Sequence, residues 1–187
     1  SKIAAVWERK GMLNDAQHAF RAGRGTEGLI VLWLLGNEEC FRSKVDQAKG
    51  QGDLRRAYDS VFQWVVELAL LRLGVPADFV RYEAEHMMAK ITKLITAFGV
   101  SGAFRRAAGL PQGGTESCQL FNAVMDMLAS MVEAMSEELG VLIPDERGRL
   151  MELFLGMFCD DTHYASSGER CKEGLQERFE LAAQWGA

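Results

Sequence analysis

Apolar and polar positions follow a helical period over most of the chain. "TEGLIVLWLLG" (26–36) is a dense apolar run opened by Thr26, an N-cap residue type, and predicts a buried helix. "SVFQWVVELALLRLG" (60–74) predicts a helix that stops at Gly74, with Asp59 capping its start. "PADFVRYEAEHMMAK" (76–90) predicts another, with Pro76 near its N-terminus. A long helix over roughly 115–140 follows from Leu120, Val124, Met127, Leu128, Met131 and Met135, spaced i, i+3, i+4; the methionine stripe reads as core. "ERCKEGLQERFELAAQWG" (169–186) predicts a final helix. Strand-like patterns are fewer. "CFRSKV" (40–45) alternates, "ITKLITAFGV" (91–100) is rich in β-branched residues, and "DQAKGQGD" (46–53) between them reads as a polar, glycine-containing loop. The apolar run from Leu150 to Phe158, resumed at Tyr164 and Ala165, frames a hairpin with Asp160 and Asp161 at its tip.

Helices and strands in mixed order, with one hairpin, predict an α+β fold: a small, mainly antiparallel sheet covered by helices on one face. At 187 residues, 48% hydrophobic and 25% charged, the chain is one domain or a large piece of one. No apolar run is long enough to span a membrane and the opening "SKIAAVWERKGML" is too polar for a signal peptide, so an intracellular protein is expected. The absence of an initial Met suggests a fragment. Cys40, Cys118, Cys159 and Cys171 lack zinc spacing and read as reduced thiols, and the scattered His18, His86 and His163 read as structural or surface residues. The net charge of −5 argues weakly against nucleic acid, yet Arg21, Arg24, Arg42, Lys44, Arg55, Arg56, Lys90, Lys93, Arg105 and Arg106 all precede residue 110, so a basic face is compatible with the acidic mean.

Two adjacent carboxylates at a tight turn repel each other, and a cation between them relieves that repulsion. Mg²⁺ takes oxygen ligands and keeps waters and substrate phosphates in its shell. A pair of such ions about 4 Å apart can clamp the attacking and leaving oxygens of a phosphoryl transfer. A third carboxylate is then needed from another strand, and "GDLRRAYDSVF" (52–62) offers Asp53.

Together these stretches resemble the palm of reverse transcriptases, in particular those of non-long-terminal-repeat retrotransposons and group II introns. "QHAFRAGRGTEG" (17–28) is similar to the family's Q-x-G-F-R-x-G-R-S-T motif. "DLRRAYDSV" (53–61) resembles motif A, "GLPQGGTESCQLFNAVMD" (109–126) motif B and "FCDDTHYASSG" (158–168) motif C. The resemblance implies one reverse-transcriptase domain fragment over 1–187, with a palm, a partial fingers segment and no thumb, that copies RNA into DNA. Its partners would be an RNA template, a DNA primer and a deoxynucleoside triphosphate, with no membrane; it says nothing of protein partners. By this match Asp53, Asp160 and Asp161 would hold two Mg²⁺ ions, with Mn²⁺ as a substitute. Tyr58 would be the steric gate against a ribose 2′-hydroxyl. Gln112 and Gly113 would lie against the templating pair, Gly113 and Gly114 would let the backbone approach substrate, and Arg21 and Arg24 would contact the nucleic-acid backbone.

The chain departs from the family's pattern in motif A, where an apolar strand normally runs straight into the first aspartate. Here "CFRSKV" ends at Asp46, and removing residues 46–52 or 47–53 leaves "CFRSKVDLRRAYDSV". That reads as a seven-residue insertion in the active-site strand, with Asp46 as the alternative to Asp53 for the first metal ligand. Motif B carries "TESCQ" where Ser and Pro are usual, and motif C carries Cys159 in place of Ala. Two readings follow: an RNA-directed DNA polymerase palm, or a catalytically inactive retroelement-derived fragment that at most binds nucleic acid or protein. A third, another palm-type nucleotidyltransferase such as a cyclase, is disfavoured by "PQGG" and "QHAFRAGRGT".

Overall fold

Helix α1 (Lys2–Lys10) buries Trp7 and leads through an irregular loop to α2 (Thr26–Ser43). The computed structural model describes residues 2–111, 113–114, 116–135, 140–145 and 147–186. Helix α2 starts one residue earlier than a Thr26 cap requires, with Gly25 at the N-cap, and runs through the segment expected as a strand at 40–45. The alternation in "CFRSKV" is equally a helix edge. Cys40 points inward, Phe41 points out, and Arg42 returns to Glu39 one turn back with a bond of 2.6 Å. Lys44 ends the helix in the left-handed region (φ 54), its N–H on the Phe41 carbonyl.

The segment expected as a loop is strand β1 (Gln47–Asp53). It contributes no apolar side chains larger than Ala48 because the partner elements supply them. A Cβ on Gly50 would sit 2.3 Å from the Phe179 ring, and one on Gly52 would sit 2.8 Å from the Thr162 hydroxyl. The glycines make room for a helix rather than a turn. No insertion loops out of this strand.

Downstream come α3 (Ala57–Ser60), α4 (Gln63–Arg72) and α5 (Ala77–Ala89). Asp59 lies inside α3, and α4 follows Phe62 without a side-chain cap, so the expected capping role is not met. The expected strand at 91–100 is a hairpin of two-residue ladders: β2 (Ile91–Thr92) pairs with β5 (Phe104–Arg105), and β3 (Ile95–Thr96) with β4 (Gly99–Val100). Helix α6 (Ser117–Met135) is the centre of the core. It buries Leu120, Phe121, Val124, Met125, Leu128 and Val132, while Met131 and Met135 at the end of the expected stripe are 40% exposed. Strands β6 (Val141–Pro144) and β7 (Leu150–Leu153) pair with each other, β8 (Leu155–Phe158) and β9 (Asp161–Ser167) form the second hairpin, and α7 (Cys171–Trp185) closes the chain.

The resulting architecture is mixed α+β with small antiparallel sheets. Its main sheet has the order β1-β9-β8. Helices α6 and α7 pack on one face, and α2 lies against the other, where Leu29 and Trp33 meet Gly156. One buried carboxylate, Asp126, ties the helical layer together: it pairs with Arg72 of α4 and accepts the Asn14 N–H at 2.5 Å. Among the described residues no helix is long and apolar enough to cross a membrane.

Gly50→Ala drives a methyl into the Phe179 ring, and we expect a loss of about 1–3 kcal/mol in urea unfolding, partly recovered by Phe179→Leu. Unchanged stability in the single variant would contradict the close packing of α7 on β1.

Candidate active site

Every residue of β1 from Gln47 to Asp53 pairs with β9, and the register ends with Asp53 opposite Asp161. On the other side Phe158 of β8 pairs with the same Asp161, so Cys159 and Asp160 form the two-residue turn between them. Three carboxylates thereby gather at one end of one sheet. The Thr162 hydroxyl donates to the Gly52 carbonyl at 3.0 Å, one residue in from the Asp53–Asp161 pair, and the Leu54 N–H reaches the Asp160 carbonyl at 3.4 Å. Asp46 lies at the opposite end of β1, its carbonyl held by the Gly168 N–H. At about 3.3 Å per residue the seven-residue separation puts it roughly 23 Å from Asp53. It is Asp53 that lies beside the turn.

The turn is clamped from a direction the sequence did not advertise. Cys159 sits in the left-handed region (φ 60), an uncommon conformation for a side chain with a Cβ. Gln17, 2% exposed, brackets it: its Oε1 accepts the Cys159 N–H and its Nε2 donates to the Cys159 carbonyl, both at 3.3 Å. The flanking backbone adds bonds between β8 and residues 16–18, Met157 N–H to Ala16 carbonyl at 2.7 Å and His18 N–H to Met157 carbonyl at 2.9 Å. Gln17 opens one of the family-like stretches, but only the folded chain assigns it this task.

Arg21 and Arg24, expected on nucleic acid, are engaged within the protein. Arg21 is 7% exposed and places Nε and Nη2 on the Glu8 carboxylate at 2.7 and 3.0 Å. Its Nη1 donates to the Asn14 and Gln17 carbonyls. That guanidinium holds the Glu8 carboxyl below the usual range. Arg24 pairs with Asp15 and donates to its carbonyl at 2.9 Å. Burying Arg21 costs solvation that only this full set of acceptors offsets, so its geometry braces the loop bearing Gln17. His18 beside them is buried, and desolvation lowers its pKa.

Tyr58, in α3, stacks on Phe121 with ring centroids 4.5 Å apart and planes 12° from parallel. Its hydroxyl touches the thiols of Cys159, at 4.0 Å, and Cys118. Burial first, and the Cys118 thiol next, raise the pKa of that hydroxyl. The Cys159 thiol is pushed up to about 11, by burial foremost and by Asp160 next. The loop before α6 holds α3 in place: Leu110 N–H bonds to the Tyr58 carbonyl at 2.7 Å and Gly109 N–H to Val61 at 2.9 Å. Gly109 (φ 94) is confined by this approach, since a Cβ would lie 3.1 Å from the Asp59 backbone. Gly113 (φ 81) faces open space, whereas Gly114 abuts the Ser117 hydroxyl, which donates to the Pro111 carbonyl. Gln112 lies outside the described residues.

Asp53 and Asp161 are exposed, Asp160 is half-buried, and among the described residues none of the three takes part in an ion pair. Three uncompensated carboxylates are a hard-oxygen donor set suited to Mg²⁺ or Mn²⁺. Among the described residues no three ligating side chains already stand around a single metal position.

The sequence matches the profile of the reverse transcriptase (RNA-dependent DNA polymerase) family over residues 2–187. The chain belongs to this family. Its fold is similar to that of apo telomerase from Candida tropicalis truncated from the C-terminal domain, with a TM-score of 0.67 at 12% identity. Apo telomerase from Candida tropicalis gives 0.68 at 10%, and Candida albicans telomerase in complex with a TWJ fragment of telomeric RNA gives 0.67 at 9%. Each match covers 100% of this chain but only 36%, 34% and 31% of the telomerase chains, so the chain spans about a third of their length. At these identities the likeness speaks for the fold alone. Comparison with curated proteins finds no match.

The half-buried Cys159 thiol carries a pH signature. Unfolded, Cys159 ionises near 9.0; folded, it keeps its proton to about 11. Raising the pH through that window deprotonates the unfolded state first, so stability present below pH 9 is lost toward pH 11. We expect the melting temperature to fall over this range and Cys159→Ala to shrink the fall, leaving the part due to Tyr58, Tyr164 and Cys40, which burial also raises. An identical alkaline profile in the variant would refute the placement of this thiol.

Proposed function

We propose that this chain is the palm, with part of the fingers, of an RNA-directed DNA polymerase of the kind found in non-long-terminal-repeat retrotransposons and group II introns. The observation that carries the reading is the meeting of Asp53 with Asp160 and Asp161 at one end of the β1-β9-β8 sheet. These three would hold two Mg²⁺ ions, which when bound would offset triphosphate charge and favour attack of a primer 3′-hydroxyl on the α-phosphate. Tyr58, fixed by Phe121 and by the backbone of residues 109–110, would present its ring edge to the sugar and exclude a 2′-hydroxyl. Gly113, open on its Cβ side, and Gln112 would lie against the templating pair. Arg21 and Arg24 would act through the Gln17 loop, by keeping the aspartate turn in place, and not by gripping phosphates. The template would be RNA, the primer DNA and the substrate a deoxynucleoside triphosphate.

A second reading, an inactive retroelement-derived fragment that binds nucleic acid or protein, is favoured by one observation: Arg21 and Arg24 are engaged with Glu8 and Asp15.

Primer extension on an RNA template with Mg²⁺ or Mn²⁺ separates the two. Asp160→Ala and Asp53→Ala are each expected to abolish extension, a loss of several orders of magnitude, while Asp46→Ala leaves it intact. Activity lost with Asp46→Ala but kept with Asp53→Ala would overturn the assignment of the first ligand. No extension by the folded chain would support the second reading.

A further inference from the structure

The hairpin formed by β2 to β5 has no evident work to do inside the fold. None of residues 91–105 is buried, although Ile91, Leu94, Ile95, Phe98, Val100 and Phe104 are all large and apolar. In a chain of net charge −5, residues 90–106 hold Lys90, Lys93, Arg105 and Arg106 and no acidic side chain. Lys90 is used against Glu116 at 2.7 Å, whereas among the described residues Lys93, Arg105 and Arg106 form no ion pair.

The tip is ordered to display an aromatic ring. Thr96 pairs with Gly99 across a two-residue turn. The Thr96 hydroxyl donates to the Gly99 carbonyl at 3.1 Å and accepts the Phe98 N–H at 3.2 Å. Gly99 takes φ 125, which a side chain would resist. Phe98 is thereby held at 102% exposure, touching nothing. At the other end the hairpin meets the candidate site: Arg106 and Thr92 share a cleft of about 370 Å³ with Asp59 and Pro111, which belong to the motif A helix and the loop before α6.

An exposed ring on a hairpin that carries Lys93, Arg105 and Arg106 and no acidic residue of its own matches the chemistry of single-stranded nucleic acid, in which a base stacks on an aromatic face and phosphates meet Lys and Arg. A purely apolar protein partner would leave Lys93, Arg105 and Arg106 without counter-charges. We propose that this hairpin is a nucleic-acid arm: Phe98 stacks on an unpaired base and Lys93, Arg105 and Arg106 hold phosphates of the same single strand. That the strand is the RNA template rests on the polymerase reading above; the arm itself does not.

The test is fluorescence anisotropy of the full chain with a labelled oligouridylate RNA between about 50 and 200 mM salt. Phe98→Ala is expected to weaken binding about tenfold. The triple change Lys93→Gln, Arg105→Gln, Arg106→Gln is expected to lower the slope of log affinity against log salt by about 2. Neither removes a buried contact, so melting temperatures should stay at the wild-type value. If both hairpin variants bind with unchanged affinity and salt slope, the proposal is overturned. It is equally overturned if Phe98→Ala only disperses a self-association seen by sedimentation and leaves RNA binding untouched, since the hairpin is then a protein contact. Hairpin-dependent RNA binding without primer extension would sink the polymerase reading and leave the arm standing.

Discussion

The antiparallel pairing of β1 with β9 is the constraint on which the candidate site depends. A slip of one residue would turn Asp53 to the opposite face of the sheet and separate it from Asp161. Such a slip is easy to imagine in a strand as polar and glycine-containing as "QAKGQGD". It is resisted from outside the strand: Phe179 fills the space over Gly50, and the Thr162 hydroxyl bonds to the Gly52 carbonyl. The glycines that make the strand look weak are the places where the neighbouring elements grip it. Register, and with it the grouping of carboxylates, is thus set by a helix that follows more than a hundred residues later.

The turn carrying Asp160 is held in the same indirect way. Its left-handed residue, Cys159, is bracketed by the buried amide of Gln17. The loop that presents Gln17 is fastened by Arg21 on Glu8 and by Arg24 on Asp15. Both guanidinium groups bond within the protein, Arg21 to Glu8 and Arg24 to the exposed Asp15. Tyr58 belongs to the same system, wedged between Phe121 and two thiols, so α3, the aspartate turn and the start of α6 share one packed corner. Among the described residues, Lys93, Arg105 and Arg106 on the exposed hairpin beyond α5 are among the cations that form no ion pair.

The five longer helices after residue 25, the hairpin around Asp160 and Asp161, the mixed α+β class and the family were legible in the residues themselves, because helical periodicity, turn residues and short motifs are local signals; α1 and α3 were not. Asp53 was legible only as one of two aspartates. The alternation of "CFRSKV" suits an amphipathic helix edge as well as a strand, and only the contacts of α2, with Cys40 packed on β6 and β7, chose the helix. "DQAKGQG" lacks every strand signal because its apolar partners are on α7. With those two segments exchanged, the apparent insertion disappears and Asp53 faces Asp161. The role of Gln17 was likewise out of reach, since hydrogen bonds spanning more than a hundred residues leave no local pattern. The sequence by itself determined most of the helices and which acids are available; the tertiary structure decided the state of residues 40–53 and which acid is neighbour to which, because register and burial are properties of surfaces brought together from distant parts of the chain.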